Sequence, residues 1–234
     1  VYSIAVVWAT FPMFVISHLA NTVLFPLFSR VNKQRGSVAD SFRQVRSPLL
    51  FAAGWLYACL VAGGPTLIHF LYDQRADEAG LIVQLLAIGA WIASLESMNS
   101  YALLALGKPK WLAFGNASKL VGMAILLPIG AHFFGFAATV LALSLSEACR
   151  YTVSAWACNR SGLRPVRQDL TFSLGIAITA AVGLLARTGY QRMHLPIGNR
   201  HVNAFVEGAA IFAVLTSLWL GAFTLTRRRA RLAA

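Results

Sequence analysis

The sequence contains seven long apolar stretches separated by short polar loops, and this alternation constrains the fold more than any other feature. A helix needs about 20 mostly apolar residues to cross the hydrocarbon core of a bilayer. A membrane β-barrel would instead need strands of about ten residues with alternating polarity. We therefore predict an all-α fold, a polytopic membrane helix bundle of about seven transmembrane helices. The predicted spans cover residues 1–28, 48–72, 80–106, 111–134, 136–158, 169–188 and 204–226.

The composition indicates the same class of protein. Charged residues make up 12% of the chain and hydrophobic residues 58%, whereas about 25% charged residues is usual in soluble domains. This balance excludes a pair of soluble domains and a disordered chain. The three cysteines lie in apolar stretches without metal-ligand spacing, so we predict no disulfide framework, no metal and no cofactor. These cysteines are Cys59, Cys149 and Cys158.

The first 28 residues have the length and apolarity of a complete span. A signal peptide would instead have a basic start and a shorter apolar stretch. Because the chain also begins with Val1 and not with Met, we expect it to be a fragment that lacks its N-terminal part.

The net charge of +12 is distributed unevenly between the loops. The loops after the first, third, fifth and seventh spans hold 14 Lys and Arg residues, and the other loops hold four. The positive-inside rule then places the C-terminus in the cytoplasm. The basic run at residues 227–231 would contact anionic membrane lipids. Topology thus accounts for the charge, and we predict no nucleic-acid partner.

The last two spans fit this pattern least well, because the loop between them places three arginines on the predicted outer side. We therefore predict two parts of the chain. Residues 1–160 form a transmembrane bundle, and residues 161–234 add an appended helix pair with a basic cytoplasmic tail. Pro165 lies in the loop that we take as the boundary.

Four spans carry an ionisable residue three positions away from a second polar residue. This spacing puts both side chains on one helix face. Ionisable groups in membrane helices are costly, face the bundle interior, and are candidates for function. The pairs are His18 with Asn21, Glu96 with Asn99, Asn116 with Lys119, and Glu147 with Arg150.

Counting from the basic loops at 1.5 Å per residue places the four sites roughly 13–18 Å deep, in one layer. A shared layer of this kind is what a water-filled central cavity would need. It would bring two cations and a histidine to a place where an anionic group can be held. The predicted substrate-binding residues are Arg150, Lys119, His18, Glu147, Glu96, Asn116 and Asn99.

Structural roles for these residues remain open alternatives. Glu147 and Arg150 would neutralise each other within one helix, and Glu96 would do the same for Lys119 across a helix interface. His18 would serve as a hydrogen-bonded packing residue, or relay protons. Asn99 and Asn116 have the character of ordinary interhelical hydrogen-bonding residues.

Sequence motifs of catalysis are absent. The chain contains no Walker loop, HExxH, GxSxG or DxDxDG motif, and no arrangement of nucleophile and base stands out. We therefore predict that the chain is not an enzyme.

Three motifs resemble those of bacterial polysaccharide flippases, which export O-antigen and exopolysaccharide. Residues 21–30 (NTVLFPLFSR) resemble the end of a span in that family, followed by a basic loop. Residues 103–110 (LLALGKPK) are similar to a short loop, and residues 67–72 (LIHFLY) precede an acidic turn and an apolar run at 79–88. The resemblance covers residues 1–160 in order.

This resemblance implies the multidrug/oligosaccharidyl-lipid/polysaccharide exporter superfamily. Its members have two six-helix lobes around a central cavity, and the chain would correspond to the C-terminal lobe and an extra helix pair. The implied activity moves undecaprenyl-diphosphate-linked oligosaccharide from the cytoplasmic to the periplasmic leaflet of the bacterial inner membrane. The implied partners are this lipid-linked oligosaccharide, membrane lipids and other polysaccharide assembly proteins. Arg150, Lys119 and His18 would meet the diphosphate.

Two alternative functions stay open at this point. A cation-coupled multidrug exporter of the same superfamily would bind its substrates through acidic residues, Glu96 and Glu147. A non-transporting membrane scaffold in a polysaccharide assembly complex would use neither set of charges for transport.

Overall fold

The chain folds into seven α-helices in a computed structural model that describes residues 2–19, 22, 26, 38–72, 78–192 and 200–232. This confirms the predicted all-α helix bundle. We number the helices in chain order as α1 (Tyr2–Leu19), α2 (Val38–Leu71), α3 (Glu78–Ala105), α4 (Lys110–Phe133), α5 (Gly135–Arg160), α6 (Val166–Arg192) and α7 (Arg200–Leu232).

Six of the seven helices are long and apolar enough to cross a membrane. The chain is therefore a multi-pass membrane protein, as the apolar stretches predict. The exception is α5, which is 26 residues long but carries Glu147, Arg150 and several serines in its central turns. These polar residues interrupt its apolar sequence, so that no stretch of it is apolar enough to count as a membrane span, and its burial depends on partners for them.

Helix α3 lies at the centre of the described bundle. It contacts α1, α2 and α5, while α4 packs on α5, and both α6 and α7 pack on α2. Buried residues occur on every side of α3, because its sequence is apolar or small all round, as in helices enclosed by neighbours. The result is an arrangement in which α5 lies between α3 and α4.

Small residues allow these helices to approach closely, as is common between membrane helices. A Cβ atom added at Gly89 of α3 would lie 2.7 Å from the Cα atom of Ser144 of α5. On the other side of α5, a Cβ at Gly122 of α4 would lie 2.9 Å from Sγ of Cys149. Cys149 thus packs against α4. Because glycine has no side chain, α5 lies close to the backbone of both neighbouring helices.

The last two helices share a hydrophobic core with the rest of the bundle. Ile176 of α6 and Trp219 of α7 belong to one buried cluster with Leu50 of α2 and Met98 of α3. Trp219 Nε1 also donates a hydrogen bond to the carbonyl oxygen of Phe51, at 2.9 Å. The appended pair therefore packs on the bundle through α2. The division of the chain at residue 160 stays a prediction.

Several helices begin earlier or end later than their apolar stretches. Helix α2 begins ten residues before the predicted span, so Arg43 and Arg46 are helical and do not lie in a loop as predicted. Arg167, Arg187 and Arg192 likewise lie on α6. These corrections reduce the number of loop cations, and the cytoplasmic position of the C-terminus stays a prediction. Most of residues 20–37, including Asn21, lie outside the described residues.

We expect the substitution Gly89→Ala to lower the free energy of unfolding by about 1–3 kcal/mol, because the added methyl group forces α3 and α5 apart. Thermal unfolding in detergent, followed by the helical circular dichroism signal, measures this effect. Gly175→Ala on α6 is the matched control, since its Cβ would meet nothing within 4 Å. Equal losses in the two variants would contradict the close contact.

Candidate functional site

Two ion pairs join α5 to the helices on either side of it. The guanidinium of Arg150 reaches α3, where its Nη2 atom lies 2.5 Å from Oε2 of Glu96. One turn earlier on α5, Glu147 forms an ion pair with Nζ of Lys119 on α4. The positions i and i+3 on α5 thus serve two different neighbours, and each pair ties two helices together.

The two ion pairs lie at one depth of the bundle. Glu96 is nine residues from the end of α3, Lys119 is nine residues from the start of α4, and Arg150 is ten from the end of α5. At 1.5 Å per residue these positions are about 14–15 Å from the helix ends. The predicted layer therefore exists for the charged residues of these three helices.

The two pairs differ in burial. The side chain of Glu96 is 1% exposed, and Ser100 donates a hydrogen bond to its Oε1 atom. Glu147 and Lys119 are 15% and 27% exposed. The Oε2 atom of Glu147 is buried and has no hydrogen-bond partner among the described residues. The carboxylate of the Lys119 pair is therefore the more accessible of the two carboxylates, whereas the cations are similarly exposed, Arg150 at 24% and Lys119 at 27%.

The Lys119–Glu147 pair lines a cavity of about 190 Å³ between α1, α3, α4 and α5. Thr10 of α1 and Ser144 of α5 add hydroxyl groups to the wall, which is otherwise mostly apolar. Arg150 does not line this cavity, because its stem packs near Gly115 of α4 and its head is turned to α3. The cavity thus contains one of the two predicted cations.

The structural pairing considered from the sequence has different partners in the structure. Glu147 does not pair with Arg150, and Glu96 does not pair with Lys119. The reason is the position of α5 between α3 and α4: its two charged residues face opposite neighbours, and the few contacts between α3 and α4 keep Glu96 away from Lys119.

The structure does not bring the remaining predicted residues into the cavity. His18 is exposed, and it lies five residues after the cavity-lining Met13, which is about 140° around the helix axis. Asn116 is exposed on α4. Asn99 is fully buried and donates to Oγ of Ser154 at 3.4 Å. Asn99 is thus an interhelical contact, and no described hydrogen bond joins His18 or Asn116 to the ion pairs.

A third charge pair, which the sequence analysis missed, is almost completely buried. Nη1 of Arg46 on α2 lies 2.7 Å from Oδ1 of Asp169 on α6, and the two side chains are 0% and 2% exposed. Tyr151 of α5 donates a hydrogen bond to Oδ2 of Asp169 at 2.7 Å. Arg46 also donates to the carbonyl oxygen of Leu95 at 3.3 Å. This Arg46 cluster connects α2, α3, α5 and α6.

The sequence contains a signal for this cluster. Asp169 is a lone acid at the first position of an otherwise apolar predicted span, and an acid there needs a cation nearby. Arg46 lies two residues before another predicted span. The pairing is not predicted when Arg46 is counted as a loop residue, because the positive-inside rule treats loop cations as exposed to water.

A further polar cluster at the opposite end of the bundle joins α2, α6 and α7. The Oε1 atom of Glu207 accepts hydrogen bonds from Thr66 at 2.9 Å, Arg187 at 3.1 Å and Gln191 at 3.2 Å. Arg187 is one of the three arginines that the sequence predicts in the outer loop between the last two spans, whereas it lies on α6 and is paired within the bundle. Because its charge is neutralised inside the bundle, Arg187 gives little information on orientation through the positive-inside rule.

Potential metal ligands are scattered in the described part of the chain. No three His, Cys, Asp or Glu residues there are close enough to hold a metal ion. The site chemistry available from the described residues is therefore that of ion pairs and hydroxyl groups.

We expect Asp169→Asn to lower the free energy of unfolding by about 3–5 kcal/mol, because it leaves the buried guanidinium of Arg46 without its counter-charge. Denaturation in detergent measures the loss. Arg167→Gln, an exposed change two residues away, is the control and should be close to neutral. A small effect of Asp169→Asn would contradict the buried pair.

Charge exchange tests the partners of Lys119. Lys119→Glu should destabilise the bundle by about 1–3 kcal/mol or more, because it sets two carboxylates against each other. Adding Glu147→Lys should restore most of the thermal stability. Adding Glu96→Lys instead should not, and rescue by that second combination would overturn the pairing described above.

Comparison with known proteins gives no relative for this chain. No protein-family model, no curated protein and no solved structure matches it. The resemblance to polysaccharide flippases therefore rests on the three sequence motifs.

Proposed function

We propose that this chain is part of a membrane transporter that moves a lipid-linked oligosaccharide, an undecaprenyl-diphosphate glycan, from the cytoplasmic to the periplasmic leaflet. The observation that carries the proposal is the Lys119–Glu147 ion pair, which lines a cavity about 14 Å from the helix end. The order of the three flippase-like motifs along residues 1–160 gives it further support.

The chemistry of the proposed cargo explains why a cavity of this kind is needed. Unaided flipping would carry phosphate charges and sugar hydroxyl groups through hydrocarbon, at a large cost in free energy. A cavity with a fixed cation and hydroxyl groups replaces part of the lost hydration. The lipid tail can meanwhile remain in the bilayer.

Lys119 has the position to contact a diphosphate from the cavity. Its ammonium is held by Glu147, so an incoming diphosphate competes with this carboxylate for it. Breaking an ion pair in a bundle is expensive unless a new counter-charge replaces the old one. Lys119 and Glu147 therefore neutralise each other when no cargo is bound. An anionic cargo can replace Glu147 as the counter-charge of Lys119, so the ion pair can separate.

Arg150 and Glu96 have a supporting role in this proposal. Arg150 is one turn from Glu147 on α5 and is held toward α3 by the almost fully buried Glu96. The Arg150–Glu96 pair fixes α5 against α3, and thereby the position of Glu147 in the cavity wall. In the fold that the resemblance implies, rocking of this lobe against a second one exposes the cavity to each side in turn.

A multidrug exporter is the second candidate. Glu147 lines the cavity, and its buried Oε2 atom has no described hydrogen-bond partner, so the carboxylate has acceptor capacity beyond its pairing with Lys119. An exporter of organic cations would use this carboxylate, and its activity would depend on Glu147 more than on Lys119.

Reconstitution tests the proposal. In vesicles that contain the full protein and a fluorescent lipid-diphosphate oligosaccharide, Lys119→Gln should slow transfer between leaflets by about tenfold or more, equivalent to about 1.4 kcal/mol. Lys119→Arg should retain transfer, because it keeps the cation. The exposed change Arg167→Gln is the control and should leave the rate unchanged.

The double change Lys119→Gln and Glu147→Gln separates transport from stability. It removes both charges of the pair, so the fold should recover while transfer stays slow. Normal transfer in this variant would refute the role of the pair. Export of an organic cation that is lost in Glu147→Gln and kept in Lys119→Gln would favour the exporter, and absence of any transfer by the unchanged protein would favour the scaffold.

A further inference from the structure

A second cavity lies at the end of the bundle where α3 ends, α4 begins and α5 ends. It has a volume of about 620 Å³, within the range of small-molecule sites. Its wall is formed by the short loop between α3 and α4 and by the last turn of α5. The lining residues that carry charge, a hydroxyl group or an aromatic ring are Lys108, Lys110, Trp111, Arg160 and Ser161.

The charges of this cavity are all positive. Lys108, Lys110 and Arg160 line it, and none of its lining residues is acidic. Lys108 is half-buried, whereas Lys110 and Arg160 are exposed. Lys119 and Arg150, deeper in the bundle, are by contrast paired with carboxylates. Three cations around one cavity repel one another, and an anion between them removes this repulsion.

The cations are held in place by neighbouring groups. Nζ of Lys108 donates a hydrogen bond to Oγ of Ser161 at 2.9 Å, which ties the loop to the end of α5. The guanidinium of Arg160 lies 4.1 Å from the centre of the Trp156 ring. Nζ of Lys110 lies 5.7 Å from the centre of the Trp111 ring. These contacts restrain the charges without neutralising them.

The two tryptophans indicate the level of the cavity in the membrane. Trp111 and Trp156 pack edge to face with ring centres 5.0 Å apart, at the ends of α4 and α5. Tryptophan is enriched where the bilayer meets water, at the level of the lipid headgroups. The two tryptophans therefore favour a position of the cavity at the level of the lipid phosphate groups.

We propose that this cavity binds the phosphate group of an anionic membrane lipid, with Lys108, Lys110 and Arg160 as its ligands. Arg and Lys bind phosphate oxygens through charge-assisted hydrogen bonds. Basic pockets at the ends of membrane helices recognise anionic headgroups in the same way. The site is separate from the Lys119 cavity and does not depend on the proposed transport activity.

The experiment measures lipid binding to the purified full chain in a neutral detergent. Short-chain phosphatidylglycerol is compared with phosphatidylcholine of the same chain length by titration calorimetry. The cavity variant combines Lys108→Gln, Lys110→Gln and Arg160→Gln. The control combines Arg43→Gln, Arg164→Gln and Arg167→Gln, which removes the same charge from exposed positions at the same end of the bundle.

The unchanged protein and the control should prefer phosphatidylglycerol by about tenfold or more, because the three basic residues of the cavity attract an anionic headgroup. The cavity variant should lose this preference. A preference that persists in the cavity variant, or that is lost equally in the control, would overturn the proposal. Circular dichroism establishes that the variants are folded, and the single change Lys110→Glu replaces the triple variant if that one does not fold.

Inorganic phosphate and pyrophosphate distinguish the source of the phosphate group. One outcome is that either ion displaces the lipid from the unchanged protein at concentrations far above that of the lipid, with no effect on the cavity variant. This result would support Lys108, Lys110 and Arg160 as the binding residues and would show that the cavity also binds a soluble anion. Failure of both ions to compete, with lipid binding intact, would assign the site to the lipid. Binding of neither lipid nor ion would refute the site.

Discussion

Charges inside this bundle are neutralised by partners on other helices, and the arrangement of α2 to α6 depends on that constraint. A charged side chain near the bilayer centre is stable only when it is paired or hydrated. Arg150 reaches α3, Lys119 reaches Glu147 of α5, and Arg46 reaches Asp169 of α6. Each pair acts between two helices, so the charges specify which helices are neighbours as well as how deep they lie.

The Glu96–Arg150 ion pair and the Arg46 cluster are connected through adjacent residues. On α3, Glu96 binds Arg150 while the carbonyl group of the preceding Leu95 binds Arg46. On α5, Arg150 faces α3 while the next residue, Tyr151, binds Asp169. The polar contacts therefore continue from α4 to α6 at about one level. Glu147, Arg150 and Tyr151 follow one another along α5. Through them the wall of the Lys119 cavity is linked to the contact between α2 and α6.

The sequence predicts the helices well and their partners poorly. Apolar length identifies spans because the thickness of the bilayer fixes it. The depth of Glu96, Lys119 and Arg150 follows from counting along each helix. The pairing of acids with bases depends on the rotation of each helix about its axis and on the position of α5 between α3 and α4. Neither can be derived from one sequence. Arg46 shows the same limit, since a position near the end of a span is compatible with water or with a buried partner.

The polar character of α5 has a consequence for biogenesis. Helices enter the bilayer according to their apolarity, and α5, which carries Glu147 and Arg150, is the described helix that lacks a stretch apolar enough to span by itself. Its counter-charges are on α3 and α4, which leave the ribosome before it. The order of synthesis thus places the acceptors for α5 in the membrane ahead of their partner, and insertion of this helix becomes an assembly step that earlier segments assist.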